Sequence, residues 1–309
     1  MEDQTTSLGN IERIAPKITQ AAVNWLKDHY KKRFFLWVHY MDPHGPYLPP
    51  APYNNLFAQE PTQGGTIKTL PVNPWSGKGG IPRYQVLGSH RDPAYYIAQY
   101  DGEIRFFDEA FGMLIERINA LGLFSSSVIL VTADHGEGMG EHDYYFAHSQ
   151  FLYNGLIRVP LLLRLPGRSS RVKEIRYPVA HVDVVPTVLR LLSIETSERF
   201  RGSNLLTSRS REIFVQTHKG GHKCALIWMG RKGVLSNGRW ALYNLRKDPL
   251  ENVDLSQHKM DRTLAAHMVE MQARLDWWRQ QDSFPLLEPR KRSVDEEANN
   301  ALRALGYLH

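Results

Sequence analysis

Residue types that bind metals and move protons are concentrated in one short segment, "VILVTADHGEGMGEHDYYFAHS", at residues 128–149. Asp134 and His135 stand directly after an apolar run, where a strand would end. A carboxylate oxygen suits hard divalent cations, and an imidazole nitrogen widens the choice towards manganese or zinc. The pair is therefore a candidate half of a metal site, although the residues alone also fit a helix cap or a hydrogen-bonded turn.

Three glycines in "GEGMG" follow this pair. Glycine lets the backbone fold tightly against a ligand, so the glycines favour the metal interpretation. A zinc site built from His135, His142 and His148 is the competing interpretation. Its spacings match none of the common zinc patterns, such as two histidines four residues apart on a helix.

Two further histidines are candidates for proton transfer. His44 stands in "DPHGPY", where two prolines and a glycine hold a loop histidine at the end of an apolar run. A histidine in that place could stabilise an anion or move a proton. His148 follows the glycine segment and is a candidate proton donor, whereas His142 in "GEHDYY" is predicted to be neither ligand nor donor.

The elements that must position these residues alternate between helices and strands. A buried strand is predicted at "RFFLWVHY", a helix from the Asp92-Pro93 cap to Gly122, and a second strand at "SSVILVT". A strand, a long crossover and a strand favour parallel pairing in one sheet, and ligands bind at the carboxyl edge of such sheets. An amphipathic helix is predicted before the first strand, from apolar residues at steps of three and four: Ile11, Ile14, Ile18, Ala22, Trp25 and Leu26.

The remaining segments predict a binding loop and a second, smaller unit. Proline, glycine and asparagine are frequent from Pro43 to Pro93, which indicates a long surface excursion that shapes a binding site. "RVPLLLRLP" predicts another strand, and a helix with Pro186 in its first turn follows. Later, short strand-like runs and the hairpin signal Asn237-Gly238 predict a small antiparallel sheet followed by a helix. We therefore divide the chain into an α/β domain at residues 1–204 and a small subdomain at 205–309.

Composition excludes several classes of function. The 309 residues carry 38 Lys and Arg against 32 Asp and Glu, a net charge of +6, in short scattered clusters. A nucleic-acid face would concentrate this charge and interleave aromatics, so no nucleic-acid partner is expected. No apolar run is long enough to span a membrane, the start "MEDQTTSLGN" lacks a secretory signal, and the single cysteine excludes an internal disulfide.

Longer blocks of the sequence resemble the sulfatase family of the alkaline phosphatase superfamily. The blocks follow one another in the family's order: "FFLWVHYMDPHGPYLPPAPY", "QYDGEIRFFDEAFGMLIERINALGL", "SSVILVTADHGEGMGEH", "HSQFLYNGLIRVPLLLRLPG" and "VAHVDVVPTVLRLL". "RWALYNLRKDPLENVDLS" is similar to the family's C-terminal subdomain. The resemblance implies an α/β fold with a mixed, mainly parallel sheet flanked by helices, plus a small antiparallel sheet with a helix.

The resemblance also assigns roles to individual residues. Asp134 and His135 match the family's downstream metal ligands, His44 its substrate-facing histidine, and His148 the leaving-group side of the site. The implied activity is metal-dependent hydrolysis of a sulfuric ester. Calcium is the usual sulfatase metal, and manganese, magnesium or zinc serve related enzymes.

The sequence departs from the family in one respect. The family's first metal-binding aspartates and its "CxPxR" or "SxPxR" segment, whose Cys or Ser becomes the formylglycine nucleophile, are not found here, and Cys224 in "HKCALIW" lacks that context. The chain therefore resembles the downstream part of a sulfatase. Three hypotheses follow: a hydrolase that needs its upstream part, on this or another chain; a non-catalytic protein that binds an anionic ester; or a phosphoesterase or phosphotransferase of the same superfamily.

Overall fold

The computed structural model describes residues 13–58, 68–167, 174–195, 200–207 and 211–281, so the polar tail with "ALRALGYLH" lies outside the described residues. The described helices are α1 (Ala15–His29), α2 (Pro93–Ala120), α3 (Asn154–Ile157), α4 (Val184–Leu191) and α5 (Arg262–Gln281). The strands are β1 (Val72–Asn73), β2 (Ile81–Pro82), β3 (Ile129–Thr132), β4 (Leu161–Arg164), β5 (Ile213–Thr217), β6 (Lys223–Trp228), β7 (Arg231–Ser236) and β8 (Arg239–Asn244). None of these helices is long and apolar enough to cross a membrane.

Helices α1 and α2 pack against each other and form as predicted. Helix α1 buries one residue per turn, namely Ala15, Thr19, Ala22 and Leu26, which is the stripe expected of an amphipathic helix. Helix α2 begins at the Asp92 cap, whose carboxylate accepts a hydrogen bond from Ala94 N, and Gly122 ends it with a positive φ of 71°. Between them, Thr19 Oγ1 donates to Ala110 O at 2.9 Å.

Residues 34–40 form no strand, although the sequence predicts one there. Their burial still alternates: Leu36 and Val38 pack on the cluster that joins α1 and α2, while Phe35 and Trp37 are 79% and 76% exposed. This is the two-residue period of a strand that is buried on one face only. The segment has the side-chain pattern of a strand, but no neighbouring strand in the described residues pairs with its backbone.

The predicted parallel pairing of residues 34–40 with β3 is therefore not formed. Strand β3 pairs antiparallel with β4 instead, with Val131 opposite Leu162, and the parallel pairing of the described residues is confined to the short β1–β2 pair. Hydrophobic runs predict that strands exist, but pairing direction depends on which neighbours are present. The α/β class with a C-terminal antiparallel sheet is confirmed.

The excursion between Pro43 and Pro93 is more buried than a surface loop. It contributes Tyr47, Leu70, Ile81 and Leu87 to a core cluster that also contains Tyr96 of α2 and Phe146 of the loop after β3. Tyr96 and Phe146 stack at 4.8 Å. This cluster connects α2 to the segment that carries the candidate site residues.

The small sheet has the order β5-β6-β7-β8, and every pair is antiparallel. Asn237 and Gly238 join β7 to β8 with φ values of 49° and 75°, the two positive angles that a tight hairpin turn requires. Helix α5 covers the sheet with Met271 and Leu275, which pack on Cys224, Leu226 and Leu242. The predicted antiparallel sheet and helix are confirmed.

The exposed aromatic residues of segment 34–40 generate a prediction about self-association. Apolar side chains in a row on an unpaired strand-like edge promote association of chains. We expect the double substitution Phe35→Glu/Trp37→Thr to increase the soluble yield and to shift the protein towards monomer, measured by sedimentation velocity. Trp75→Thr is the matched control, because Trp75 is 90% exposed but stands outside this edge. An unchanged sedimentation profile in the double variant, with helix content preserved, would contradict the prediction.

Candidate active site

The candidate site lies where the loop at residues 41–50 meets the loop that follows β3. Three of the predicted histidines come together there. The rings of His135 and His148 stack with centroids 3.8 Å apart, and the His44 ring meets His148 edge to face at 5.5 Å. The structure thus joins three residues, of which His44 and His148 lie more than a hundred positions apart in the sequence. The roles predicted for them stay predictions.

The glycines after His135 are needed for contacts within the protein. A Cβ atom on Gly136 would lie 2.1 Å from Gly155 O, and one on Gly138 would lie 2.7 Å from the Tyr144 ring. Gly136 N donates to Leu156 O at 2.8 Å, so the backbone of this loop packs directly on α3. Gly136 and Gly138 thus allow close approach of neighbouring backbone and aromatic groups, while the prediction that they let the backbone fold against a ligand stays a prediction.

Asp134 and His135 provide one side of a possible cation site. The Asp134 side chain is 72% exposed, and its Oδ2 lies 3.7 Å from His135 Nε2. His135 Nδ1 lies 2.8 Å from Gly136 O. Because a carbonyl oxygen can only accept a hydrogen bond, Nδ1 is the donor. The free electron pair is therefore on Nε2, the tautomer that a metal-binding histidine needs.

These two residues do not make a full coordination shell. Among the described residues, no group of three or more His, Cys, Asp or Glu side chains is arranged to hold a metal ion. Structural and catalytic zinc sites take at least three protein ligands. The donor set fits a divalent cation from one side only.

His148 is held by a buried carboxylate. Its Nδ1 donates to Glu137 Oε1 at 3.3 Å, and the two side chains are only 8% and 7% exposed. Glu137 Oε2 accepts the Tyr47 hydroxyl at 3.0 Å. One carboxylate therefore links the loop after β3 to the loop at 41–50 and leaves His148 Nε2 as the nitrogen available to a substrate.

His44 has the same arrangement of its two nitrogens. Nδ1 donates to Gly45 O at 2.8 Å, and the buried Nε2 has no hydrogen-bond partner among the described residues. Burial lowers the pKa of His44, and the neighbouring His148 lowers it further. His44 is thus neutral near pH 7, with the electron pair on Nε2.

The loop that carries His44 is fixed by α2. Glu103, buried in that helix, accepts a hydrogen bond from Leu48 N at 2.8 Å. Gly102 lets Tyr53 approach, since a Cβ atom there would lie 2.7 Å from Tyr53 O. Burial also raises the pKa of Asp42, the residue two before His44.

His142 belongs to a different set of contacts. Its ring stacks on Tyr153 at 3.6 Å, and its Nε2 donates to Leu250 O at 2.8 Å. These contacts hold the turn after β8 against the segment before α3. The competing zinc site of three histidines gains no support from this placement, and the sequence prediction that His142 is neither ligand nor donor stays a prediction.

A buried ion pair makes a second connection between the small sheet and the site. Lys232 of β7 and Glu251 are both fully buried and 2.7 Å apart. Lys232 Nζ also donates to Leu152 O at 2.8 Å, and Glu251 accepts from Asn154 N at 2.6 Å. The small sheet therefore fixes the segment that follows His148.

Sequence reasoning missed Glu137, Tyr47 and Glu103. Glu137 stands in the quoted glycine segment and Tyr47 in the quoted loop, but an acid or a tyrosine in a loop gives no sign of burial. The periodicity of α2 does offer a signal for Glu103, because Glu103 falls between Gln99 and Phe106 on the buried face of that helix. A charged residue on the buried face of a helix needs a specific partner.

The comparisons with known proteins agree on one family. A family model described as Sulfatase matches residues 6–194. Over 164 residues the chain is 27% identical to an ulvan-active sulfatase from Formosa agariphila, covering 53% of this chain and 28% of that protein. It is 26% identical to the uncharacterized sulfatase YidJ of Escherichia coli, covering 66% of this chain and 41% of that protein.

The fold is also similar to solved structures. The phosphonate monoester hydrolase of Agrobacterium radiobacter superposes with a TM-score of 0.66 at 21% identity, over 85% of this chain and 60% of that one. This likeness concerns the fold alone. The chain spans less than half the length of the curated relatives it matches.

Glu137 generates a prediction about stability. Glu137→Ala leaves the Tyr47 hydroxyl and His148 Nδ1 buried without an acceptor, and we expect it to lower the free energy of unfolding by about 1–3 kcal/mol. Glu137→Gln should lose less, because an amide oxygen can still accept one of the two hydrogen bonds. Urea unfolding measures both, with the exposed Glu116→Ala of α2 as the control. Equal stability of the Glu137→Ala and Glu116→Ala variants would contradict the role of this carboxylate.

Proposed function

This chain belongs to the sulfatase family, and we propose that it supplies the histidine and metal-ligand side of a sulfuric ester hydrolase site. The proposal rests on one observation. His44, His135 and His148 pack together beside Asp134, and in each ring Nδ1 is engaged by the protein while Nε2 has no hydrogen-bond partner among the described residues. Histidines held in this way are prepared for a ligand or for proton transfer.

In the proposal, Asp134 and His135 hold a divalent cation. The cation would polarise the oxygens of the bound ester as a Lewis acid. Calcium is the first candidate, with manganese, magnesium and zinc as alternatives. The imidazole of His135 suits manganese or zinc better than calcium, because calcium takes oxygen ligands.

The other two histidines act on protons and on charge. When both of its ring nitrogens carry a proton, His148 donates the proton on Nε2 to the leaving alcohol, and Glu137 keeps its ring in the required orientation. His44 presents the electron pair of its Nε2 and would accept a proton from a bound group that reaches this nitrogen. Because the His148 ring stacks on His135, the donor of this proposal would lie next to its metal-ligand pair.

The attacking group in this proposal comes from polypeptide outside this sequence. Cys224, the single cysteine, is fully buried in β6 beneath α5, where no ester can reach it. The limited share of its relatives that the chain matches is consistent with a further segment. A sulfatase active site would then form when that segment, on this or another chain, is joined to the histidine side.

A second candidate function is a phosphoesterase of the same superfamily. It is favoured by His135, because an imidazole ligand suits manganese or zinc better than calcium. The relative rates on a sulfate ester and on a phosphodiester separate the two functions, because both functions would use the same histidines. A protein that binds an anionic ester without cleaving it is the third outcome.

The metal proposal can be tested on the chain as it stands. Manganese(II) should broaden the ring signals of His135 and His148 in NMR spectra of protein labelled at histidine, and calcium should compete with it. Asp134→Asn should abolish this broadening because it removes one of only two ligands. Asp108→Asn, an exposed aspartate of α2, is the control and should behave as wild type. Broadening that survives in Asp134→Asn would refute the assignment.

The reaction proposal is tested by turnover. The 309-residue chain alone should hydrolyse neither 4-nitrophenyl sulfate nor bis(4-nitrophenyl) phosphate. When joined to a segment that carries a formylglycine, it should cleave the sulfate faster than the phosphodiester, and His148→Ala should reduce the rate by about 10²-fold or more. A higher rate on the phosphodiester would establish the phosphoesterase instead. Turnover by the chain alone, dependent on Asp134, would show that the attacking group lies within these residues.

A further inference from the structure

The tip of the β5–β6 hairpin is a loop rich in basic residues that contacts the segment directly after His148. Its sequence from Thr217 is "THKGGHK", with two histidines and two lysines around a pair of glycines. Gly220 and Gly221 have φ values of 71° and 95°, which the turn requires and which other residues rarely adopt. The turn therefore presents His218 and His222 side by side, with ring centroids 4.9 Å apart.

Specific contacts fix this tip to the residues that follow His148. Thr217 Oγ1 donates to Ser149 O at 2.5 Å. Gly220 lies close to Gln150, the residue after Ser149, since a Cβ atom on Gly220 would lie 2.7 Å from Gln150 Cγ. The tip is thus held against the segment that directly follows His148, the proposed proton donor.

The contacts within the tip leave its outer groups free. Lys223 is buried and donates to Gly220 O at 2.6 Å, so this lysine braces the turn. His218, Lys219 and His222 are exposed, and within the described residues no carboxylate forms an ion pair with any of them. Three groups able to donate to an anion are therefore available together.

Further positive charge lies around the tip. Desolvation lowers the pKa of His222, and the nearby His218 and Arg279 lower it further. Arg239, the first residue of β8, lies at the same end of the sheet as the hairpin tip. It pairs with Ser236 of β7, and Ser236 in turn pairs with Lys223 at the start of β6. Arg279 forms an ion pair with Asp276 at 3.3 Å. An anion bound here would be attracted to the charges of Lys219 and Arg239.

We propose that His218, Lys219 and His222 form a second anion subsite next to the ester site, so that the substrate is a glycan or other polyol ester carrying at least two anionic groups. The ester to be cleaved would lie against His44, His135 and His148. A neighbouring sulfate or carboxylate of the same molecule would lie against the hairpin tip. The substrate class rests on the proposed function, while anion binding at the tip is independent of it.

The test measures binding of a fluorescent heparin-derived hexasaccharide and of a fluorescent monosulfated monosaccharide to the 309-residue chain at pH 6, by anisotropy. The hexasaccharide should bind more tightly. Lys219→Gln/His222→Gln should weaken it by about tenfold, because charge-assisted hydrogen bonds are lost, and should leave the weak monosaccharide binding unchanged. Lys247→Gln is the control, since Lys247 is exposed just beyond Asn244, at the end of the sheet opposite the hairpin tip.

Two results would overturn the inference. Equal weakening in Lys247→Gln would mean diffuse attraction to a basic protein, and no weakening in the tip variant would mean that the tip binds no anion. Asp134→Asn, measured in parallel, keeps this test separate from the proposed function: it should lose the manganese effect on His135 and retain the hexasaccharide affinity. Loss of the manganese effect in the tip variant would indicate that the substitutions disturb the fold of the site.

Discussion

The buried carboxylate of Glu137 is the contact on which the candidate site depends. It accepts from Tyr47 in one loop and from His148 in another, and both side chains of the Glu137–His148 pair are almost fully enclosed. A buried charge is tolerated only where hydrogen bonds replace water, so the two loops must come together for Glu137 to be satisfied. His44 and His135 are brought to His148 by this same closure.

The small antiparallel sheet stabilises the other side of the site. Lys232 and Glu251 form a buried ion pair that also binds Leu152 and Asn154, and the hairpin tip contacts Ser149. The polypeptide after His148 is therefore held at several points by elements from the end of the chain. The small sheet therefore fixes the segment at residues 149–154, on one side of the candidate site.

Much of the fold could be predicted from the sequence, because its elements follow local rules. The caps of α2, the stripe of α1 and the Asn237-Gly238 turn depend on residues within a few positions of one another. Strand pairing does not, since residues 34–40 keep the alternating burial of a strand while β3 pairs with β4. The same limit applies to the site. The types and spacing of Asp134, His135 and His148 indicated chemistry, but the burial of Glu137 and the approach of the hairpin tip arise only from tertiary contacts.

The central claim is that three histidines are each tied through Nδ1 and leave Nε2 for a ligand. Two-bond ¹H–¹⁵N correlation spectra of protein labelled at histidine report this directly, because protonated and bare ring nitrogens differ strongly in chemical shift. At pH 8, His44 and His135 are predicted to be protonated at Nδ1 and bare at Nε2, and His148 to share this pattern as long as Glu137 is present. An Nε2-protonated tautomer at His44 or His135, or rapid averaging of the two tautomers, would contradict the account.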